Sequence, residues 1–447
     1  MKSLQYLVLA NLVCVSSAAF LPRSLLEYFG LSESNIPRFI REINHPYIKS
    51  HQRDIESLLD PTEALCNPDS QFRASLPEFP DDLFKRLSVD NNKVSQGRRG
   101  WTNAREVLSN ILSCKAALDG VEEFEVDIFL HRGDDEWFGE APTPSDDILD
   151  LFIRFFANAP RLSNLTWVQP SADSAAAATF EKYFLERNVE FPALTEASLG
   201  PSMHCLLAGT PHLQKLTSYS KSYVWSTYSM RSLSQQADGP QMSFVKSTSK
   251  LKRLEEFGLH ATWTPELVAE LQQSAGQLVR LDVDGDVDGR WAGDNLRAMA
   301  RELNKFENLR ELRLPHVIYL GFGGPDEWPD CGNAYFGASG RVLRRQEEIS
   351  YISGTEKAAQ IIVPLKPDLE RLCIGGECTE ITSGKELKWP WTGRLREYML
   401  EEWPRYDGES GEYGYGYRES EDPQGPVLES WEEDRKWFGG PDGHGEL

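Results

Sequence analysis

A short apolar phrase, L-x-x-L-x-L with other apolar residues allowed, recurs along most of this chain and limits its folding more than any other feature. It reads VEEFEV from Val121, LSNLTW from Leu162, LTEASL from Leu194, LEEFGL from Leu254, LVRLDV from Leu278, LRELRL from Leu309, LERLCI from Leu369 and LREYML from Leu395. LQKLTS from Leu213 fits in part. Gaps between copies run from 19 to 60 residues, so the array is irregular. Each copy is strand-length, and the intervals carry helical patterns. TWTPELVAELQQSAG offers Thr264 as N-cap, Pro265 at the first position, Glu266 in the first turn and Gly276 as the stop. SDDILDLFIRFF starts on Ser145 and puts Ile148, Leu149, Phe152, Phe155 and Phe156 along one face. Strands joined by helical crossovers are parallel, and one such unit cannot bury its own apolar face, so the units must stack.

The array resembles the irregular strand-helix kind of leucine-rich repeat found in F-box-type and ribonuclease-inhibitor-like proteins, over roughly residues 118–402. It departs from that family at the ninth position, where Asn or Cys would bond the turn. Here stand Pro170, Ser202, Asp286, Val317 and Glu377. The resemblance implies an α/β solenoid with parallel strands and helical crossovers, with a conventional α/β domain as the alternative.

Residues 20–117 hold helical patterns and no copy of the phrase, which suits a helical N-terminal cap over the first repeat. In WTNAREVLSNILSCKAAL, Val107, Leu108, Ile111 and Leu112 share a face, and Asn103 and Glu106 are spaced as a capping box. LPEFPDDLFKRL, from Leu76, has the Leu-Pro of an F-box and little beyond it. From Glu401 the chain carries 14 acidic and 4 basic residues, and residues 403–447 read as a disordered acidic tail.

The first residues set the compartment. Met1 and Lys2, a twelve-residue apolar run from Leu4 to Val15, and small residues at Ser16 to Ala19 form a signal-peptide pattern over residues 1–19. Secretion is expected, with the endoplasmic reticulum lumen as the alternative because the chain closes on HGEL, and the cytoplasm or nucleus after that. Beyond the leader six cysteines remain, an even number that suits disulfides, and Cys373 and Cys378 flank a short hairpin-like span. Asn164-Leu165-Thr166 is a glycosylation sequon. No apolar run reaches the length of a membrane span. The formal charge of −22 and pI near 4.9 argue against a nucleic-acid partner.

Function is expected on the strands. In each copy the second and third apolar residues point inward, so the third, fifth and seventh positions face out on the concave side. They include Glu196, Ser198, Glu256, His260, Arg280, Asp282, Glu311 and Arg313, a mixed-charge surface suited to a protein or peptide. Trp328, Tyr335 and Phe336, in the long interval before LERLCI, are further binding candidates. DGDVDG, from Asp284 to Gly289, matches the first half of a calcium loop, with Asp284, Asp286 and Asp288 as ligands. Position 12 is Asn295 where that pattern needs Glu, so a polar turn after the strand is the preferred reading. The chain has no G-x-S-x-G elbow and no H-E-x-x-H helix, and no cofactor is assigned. The expectation is a non-enzymatic secreted or luminal binding module. An intracellular F-box-like adaptor is the first alternative and a carboxylate-dependent hydrolase the second.

Overall fold

The computed structural model describes residues 39–40, 43, 45–76, 79–90, 101–127, 143–168, 175–218, 239–287, 292–322, 337–381, 387 and 389. In chain order these hold helices α1 (Pro46–Ser50), α2 (Gln52–Glu56) and α3 (Pro61–Cys66), then strand β1 (Arg86–Asp90). There follow α4 (Trp101–Leu112), α5 (Lys115–Gly120), β2 (Glu123–Asp127), α6 (Asp146–Ala157), β3 (Asn164–Val168), α7 (Ala175–Arg187) and β4 (Glu196–Leu199). A 3-10 segment, Pro201–Gly209, precedes β5 (Lys215–Ser218), α8 (Pro240–Ser247), β6 (Glu256–Trp263), α9 (Pro265–Ala275) and β7 (Arg280–Val287). The series closes with α10 (Ala292–Leu303), β8 (Glu311–Leu314), α11 (Gly337–Leu365), β9 (Arg371–Ile374) and β10 (Glu377–Glu380). The chain divides into two compact units, Met1–Lys85 with Ser109–Gly120, and Arg86–Leu108 with Val121–Leu447.

In the first unit α3 is started by Asp60, whose carboxylate accepts the Glu63 N–H at 2.9 Å, with Pro61 at the first helical position. The helix buries Ala64, Leu65 and Cys66, and Cys66 is disulfide-bonded to Cys114 across 48 residues of sequence.

The second unit contains one ten-stranded sheet whose spatial order is the sequence order, β1 to β10. Strands β1 to β9 are parallel, and β10 turns back antiparallel on β9. A parallel sheet that always grows in one direction has crossovers of one hand, which sends every crossover to the same face. Side-chain burial agrees. Along β3, β4 and β8 buried residues alternate with partly or fully exposed ones. A sheet covered on both faces would read as continuous apolar strands instead.

Within the described residues, each quoted copy of the phrase puts its first apolar residue two positions before a strand. The same bond starts each strand from β3 to β9. The Glu122 carbonyl accepts the N–H groups of both Ser163 and Asn164, the Ser163 carbonyl those of Thr195 and Glu196, and the Thr195 carbonyl those of Gln214 and Lys215. The series continues through Gln214, Glu255, Val279 and Arg310, each accepting two N–H groups from the next strand at 2.8–3.1 Å.

The buried face is apolar. Phe152 lies 5.0 Å, ring to ring, from Trp167, which meets Phe180 edge-on at 5.0 Å, and Phe124 is 4.1 Å from Phe155. Helix α9 forms as its sequence predicts: the Thr264 hydroxyl accepts the Leu267 N–H at 3.2 Å, and Leu267, Val268 and Leu271 are buried. The β9–β10 hairpin turns on Gly375 and Gly376, both at positive φ, and Cys373 pairs with Cys378 in register and by disulfide.

Three expectations differ from the structure. The sheet starts at β1, inside the region expected to be purely helical, and its phrase is FKRLSV from Phe84, with Phe in the first apolar place. Helix α4 already runs from Trp101, so Asn103 is its third residue and does not cap it. Asp284 to Val287 is strand rather than turn, because β6 continues to Trp263 and offers β7 a ladder to pair with. Of the six cysteines beyond the expected leader, Cys205 is buried and unbonded, and Cys331 lies outside the described residues, as do residues 1–19, where a leader is expected, the last copy (LREYML) and the acidic tail.

Phe152→Ala removes a fully buried ring from the aromatic core and should cost about 3–5 kcal/mol in chemical denaturation. Leu185→Ala, at a half-exposed position of α7, should cost under about 0.5 kcal/mol. Equal costs would mean the aromatic cluster does not carry the core.

Candidate functional site

The polar face of the sheet is laid out in rows by the strand register. The first row runs Arg86, Glu123, Asn164, Glu196, Lys215, Glu256, Arg280, Glu311 and Arg371 across β1 to β9. Neighbouring strands lie about 4.8 Å apart, so opposite charges in this row meet. Arg86 pairs with Glu123 at 2.9 Å and Lys215 with Glu196 at 3.3 Å. Arg280 is shared between Glu256 at 3.4 Å and Glu311 at 3.5 Å, and Glu311 also takes Arg313 at 2.8 Å.

The second row runs Ser88, Glu125, Thr166, Ser198, Thr217, Gly258, Asp282, Arg313 and Cys373. The third places His260 beside Asp284, and there the His260 Nδ1 to Asp284 Oδ2 distance is 2.8 Å. The His260 backbone N–H donates to the Ser218 hydroxyl at 2.7 Å. The indole N–H of buried Trp263 donates to the Asp284 carbonyl at 2.8 Å, which holds the extended end of β7 in place.

The structure therefore gathers Glu256, His260, Arg280, Asp282, Glu311 and Arg313 on three adjacent strands, with Glu196 and Ser198 two strands away on β4. Asn164 lies in the first row on β3, on the face that its third place in LSNLTW implies. Trp328, Tyr335, Phe336 and Asp288 lie outside the described residues. Sequence reasoning missed Lys215, Thr217 and Gly258 as members of the face. The rule of third and fifth positions, applied to LQKLTS and LEEFGL, selects all three.

The calcium-like stretch has another arrangement. One Asp284 oxygen meets the His260 ring and the other accepts the Gly285 N–H at 2.8 Å. Gly285 sits at φ 96°, where an added Cβ would lie 2.2 Å from the Ala261 carbonyl oxygen. Backbone extended and paired in this way is a strand and not the coiled loop of that pattern. Among the described residues no three His, Cys, Asp or Glu side chains converge as a metal-binding group.

Two carboxyls on β7 are pushed in opposite directions. Burial raises the Asp282 pKa, helped by the charges of Asp284 and Glu311 and opposed by Arg313 and Arg280. Hydrogen bonding from His260 lowers that of Asp284 against its partial burial. Cys205, by contrast, is pushed up to about 12 by burial, so it carries no useful thiolate at neutral pH.

Comparison of the chain with family models and with curated proteins finds no match. Among the described residues no helix is long and apolar enough to cross a membrane.

The two carboxyls predict opposite pH effects. Asp284, with its pKa depressed, stabilises the fold above the ordinary carboxylate value of about 3.9, and that contribution is lost as pH falls through its folded pKa. Asp282, with its pKa raised, favours the fold most below that ordinary value, and the advantage is lost as pH rises through its folded pKa. Asp282→Asn should therefore raise the melting temperature at pH 7, whereas Asp284→Asn should lower it slightly, by under about 1 kcal/mol, because water screens the exposed Asp284 carboxylate. Both differences should shrink towards pH 3. The same sign for both at pH 7 would contradict the assignment.

Proposed function

We propose that this protein is a secreted or luminal, non-enzymatic binding module of the leucine-rich-repeat kind. Its polar sheet face, concave in such repeats, receives a protein or peptide. The observation that carries this is the one-sided sheet: strand after strand presents alternating charged and hydroxyl side chains in continuous rows, while the opposite side chains are buried. Mixed, partly paired charge over a broad surface suits selective recognition more than a single small-molecule pocket. The repeated bond at each strand start supports the repeat reading, since a stack of equivalent units needs equivalent junctions.

The disulfides Cys66–Cys114 and Cys373–Cys378 fit an extracellular or luminal compartment. They count against a cytosolic F-box-like adaptor, because the first of them ties together the region that would hold its partner helix. A glycan on Asn164 would stand in the first row and narrow the usable face to β4–β9.

The test uses peptides selected from a random display library on the full-length protein. Ser198→Trp, in the second row, should weaken them at least tenfold, about 1.4 kcal/mol. Gln273→Trp, exposed on α9, should leave them unchanged. Selected peptides indifferent to Ser198→Trp would sink the proposal.

One observation favours the hydrolase as a second reading. Asp282 and Asp284 lie two residues apart on one strand with pKa values pushed apart, the pattern of an acid and a base. It predicts hydrolysis of at least one substrate in a glycoside panel, abolished by Asp282→Asn and by Asp284→Asn alike. A panel with no turnover removes this reading.

A further inference from the structure

The run KSTSKLKR, Lys246 to Arg253, is the one stretch of eight residues in the sequence with four basic side chains and no acidic one, in a protein of formal charge −22. It covers the end of α8, the 3-10 turn Thr248–Lys250 and the approach to β6. Its apolar residues are anchors: Leu251 and Leu254 are buried, as are Phe244 and Val245 just before the run. Thr248 is buried too, and its hydroxyl donates to the Val245 carbonyl at 2.7 Å. The Gln277 side chain donates to the Leu251 carbonyl at 2.8 Å, which ties the turn to the next strand junction. Lys246, Lys250, Lys252 and Arg253 stand exposed on this fixed backbone.

Among the described residues none of these four cations forms an ion pair, and the Lys252 ammonium donates to the Ser249 carbonyl at 3.0 Å. Even with Glu255, two residues past Arg253, the patch stays positive. The junctions on either side add no charge. The doubled carbonyl bonds align the strand starts, so Lys252 and Arg253 correspond to Pro211 and His212 before β5 and to Gly276 and Gln277 before β7. The result is an isolated basic rim on an acidic protein, held in place and open to an anion.

We propose that this rim is the docking site of the chain's own acidic C-terminal segment, residues 401–447. That segment carries 14 acidic against 4 basic residues, so the signs are complementary. Its reach is ample. Leu387 bridges to Ile381 just past β10, and β6 lies four strands from β10, about 19 Å at the usual spacing of about 4.8 Å. Glu401 is fourteen residues past Leu387, about 45 Å of extended chain. Single exposed ion pairs are weak, but a tethered partner acts at an effective concentration on the order of millimolar, which a free polyanion must exceed. The tether therefore favours the tail over a polyanion in solution. The contact is electrostatic and loosens as salt rises. It lies on the rim and outside the rows of the polar face, so it stands or falls separately from the binding-face proposal.

The experiment is zero-length carbodiimide cross-linking of the full-length protein at low salt, followed by proteolysis and mass spectrometry. In the monomer band, carboxylates of residues 401–447 should join Lys246, Lys250 or Lys252 at least ten times more often than Lys182 or Lys357, two exposed lysines outside the patch. Salt at about 0.5 M should remove that difference. Lys250→Glu combined with Arg253→Glu should remove the cross-links to the unchanged Lys246 and Lys252. Both substituted side chains are exposed, and a melting temperature confirms that the variant folds. Cross-links spread evenly over the exposed lysines, confined to a dimer band, or surviving the charge reversal overturn the proposal. A sulfated polysaccharide is the competing occupant. Retention on heparin that the double substitution abolishes, without tail cross-links in the monomer, assigns the rim to an external polyanion and overturns docking of the tail.

Discussion

One carbonyl oxygen accepting two N–H groups from the next strand is the contact on which the sheet depends. It recurs at every junction from β2 to β9, always from the residue after the first apolar position of the phrase. A parallel pair can slip, and a slip of one residue would send every inward side chain outward. The doubled bond fixes the start of each strand against its neighbour before the ladder begins. The buried first residues, such as Leu162, Leu194, Leu254, Leu278 and Leu309, anchor the same point from the apolar side.

Everything on the polar face follows from that common register. Because third positions align, Glu256, Arg280 and Glu311 fall side by side and pair, although they lie 24 and 31 residues apart in sequence. Because fifth positions align, the glycine of LEEFGL comes to lie between the threonine of LQKLTS and the aspartate of LVRLDV. The same alignment sets Asp282 directly opposite Arg313. Burial nonetheless raises its pKa, against the charges of Arg313 and Arg280. The extension of β6 and β7 beyond their neighbours has a separate cause: Trp263 is buried and bonds across to the Asp284 carbonyl, and Gly285 lets the strands approach closely.

Much of the fold was legible because it is periodic. The apolar phrase marked eight of the ten strands, and cap chemistry marked α9 from Thr264 to Gly276. β1 escaped because Phe84 stands where the other copies have Leu or Val, and α4 was misjudged because Asn103 and Glu106 fit a cap that the helix overruns. The end of β7 reads as a turn in sequence because its glycines and aspartates favour turns locally. Partner pairing with β6 overrode that preference.

The sequence by itself determined the element types, the inward and outward sides of each strand, and the acidic balance of the chain, since each depends on residues within a dozen positions of one another. Tertiary structure alone decided which outward residues are neighbours, which charges cancel, and that Asp282 faces Arg313 across the ladder. Those outcomes depend on register between strands separated by helical crossovers. Register is set by backbone hydrogen bonds that carry no side-chain signature in the sequence.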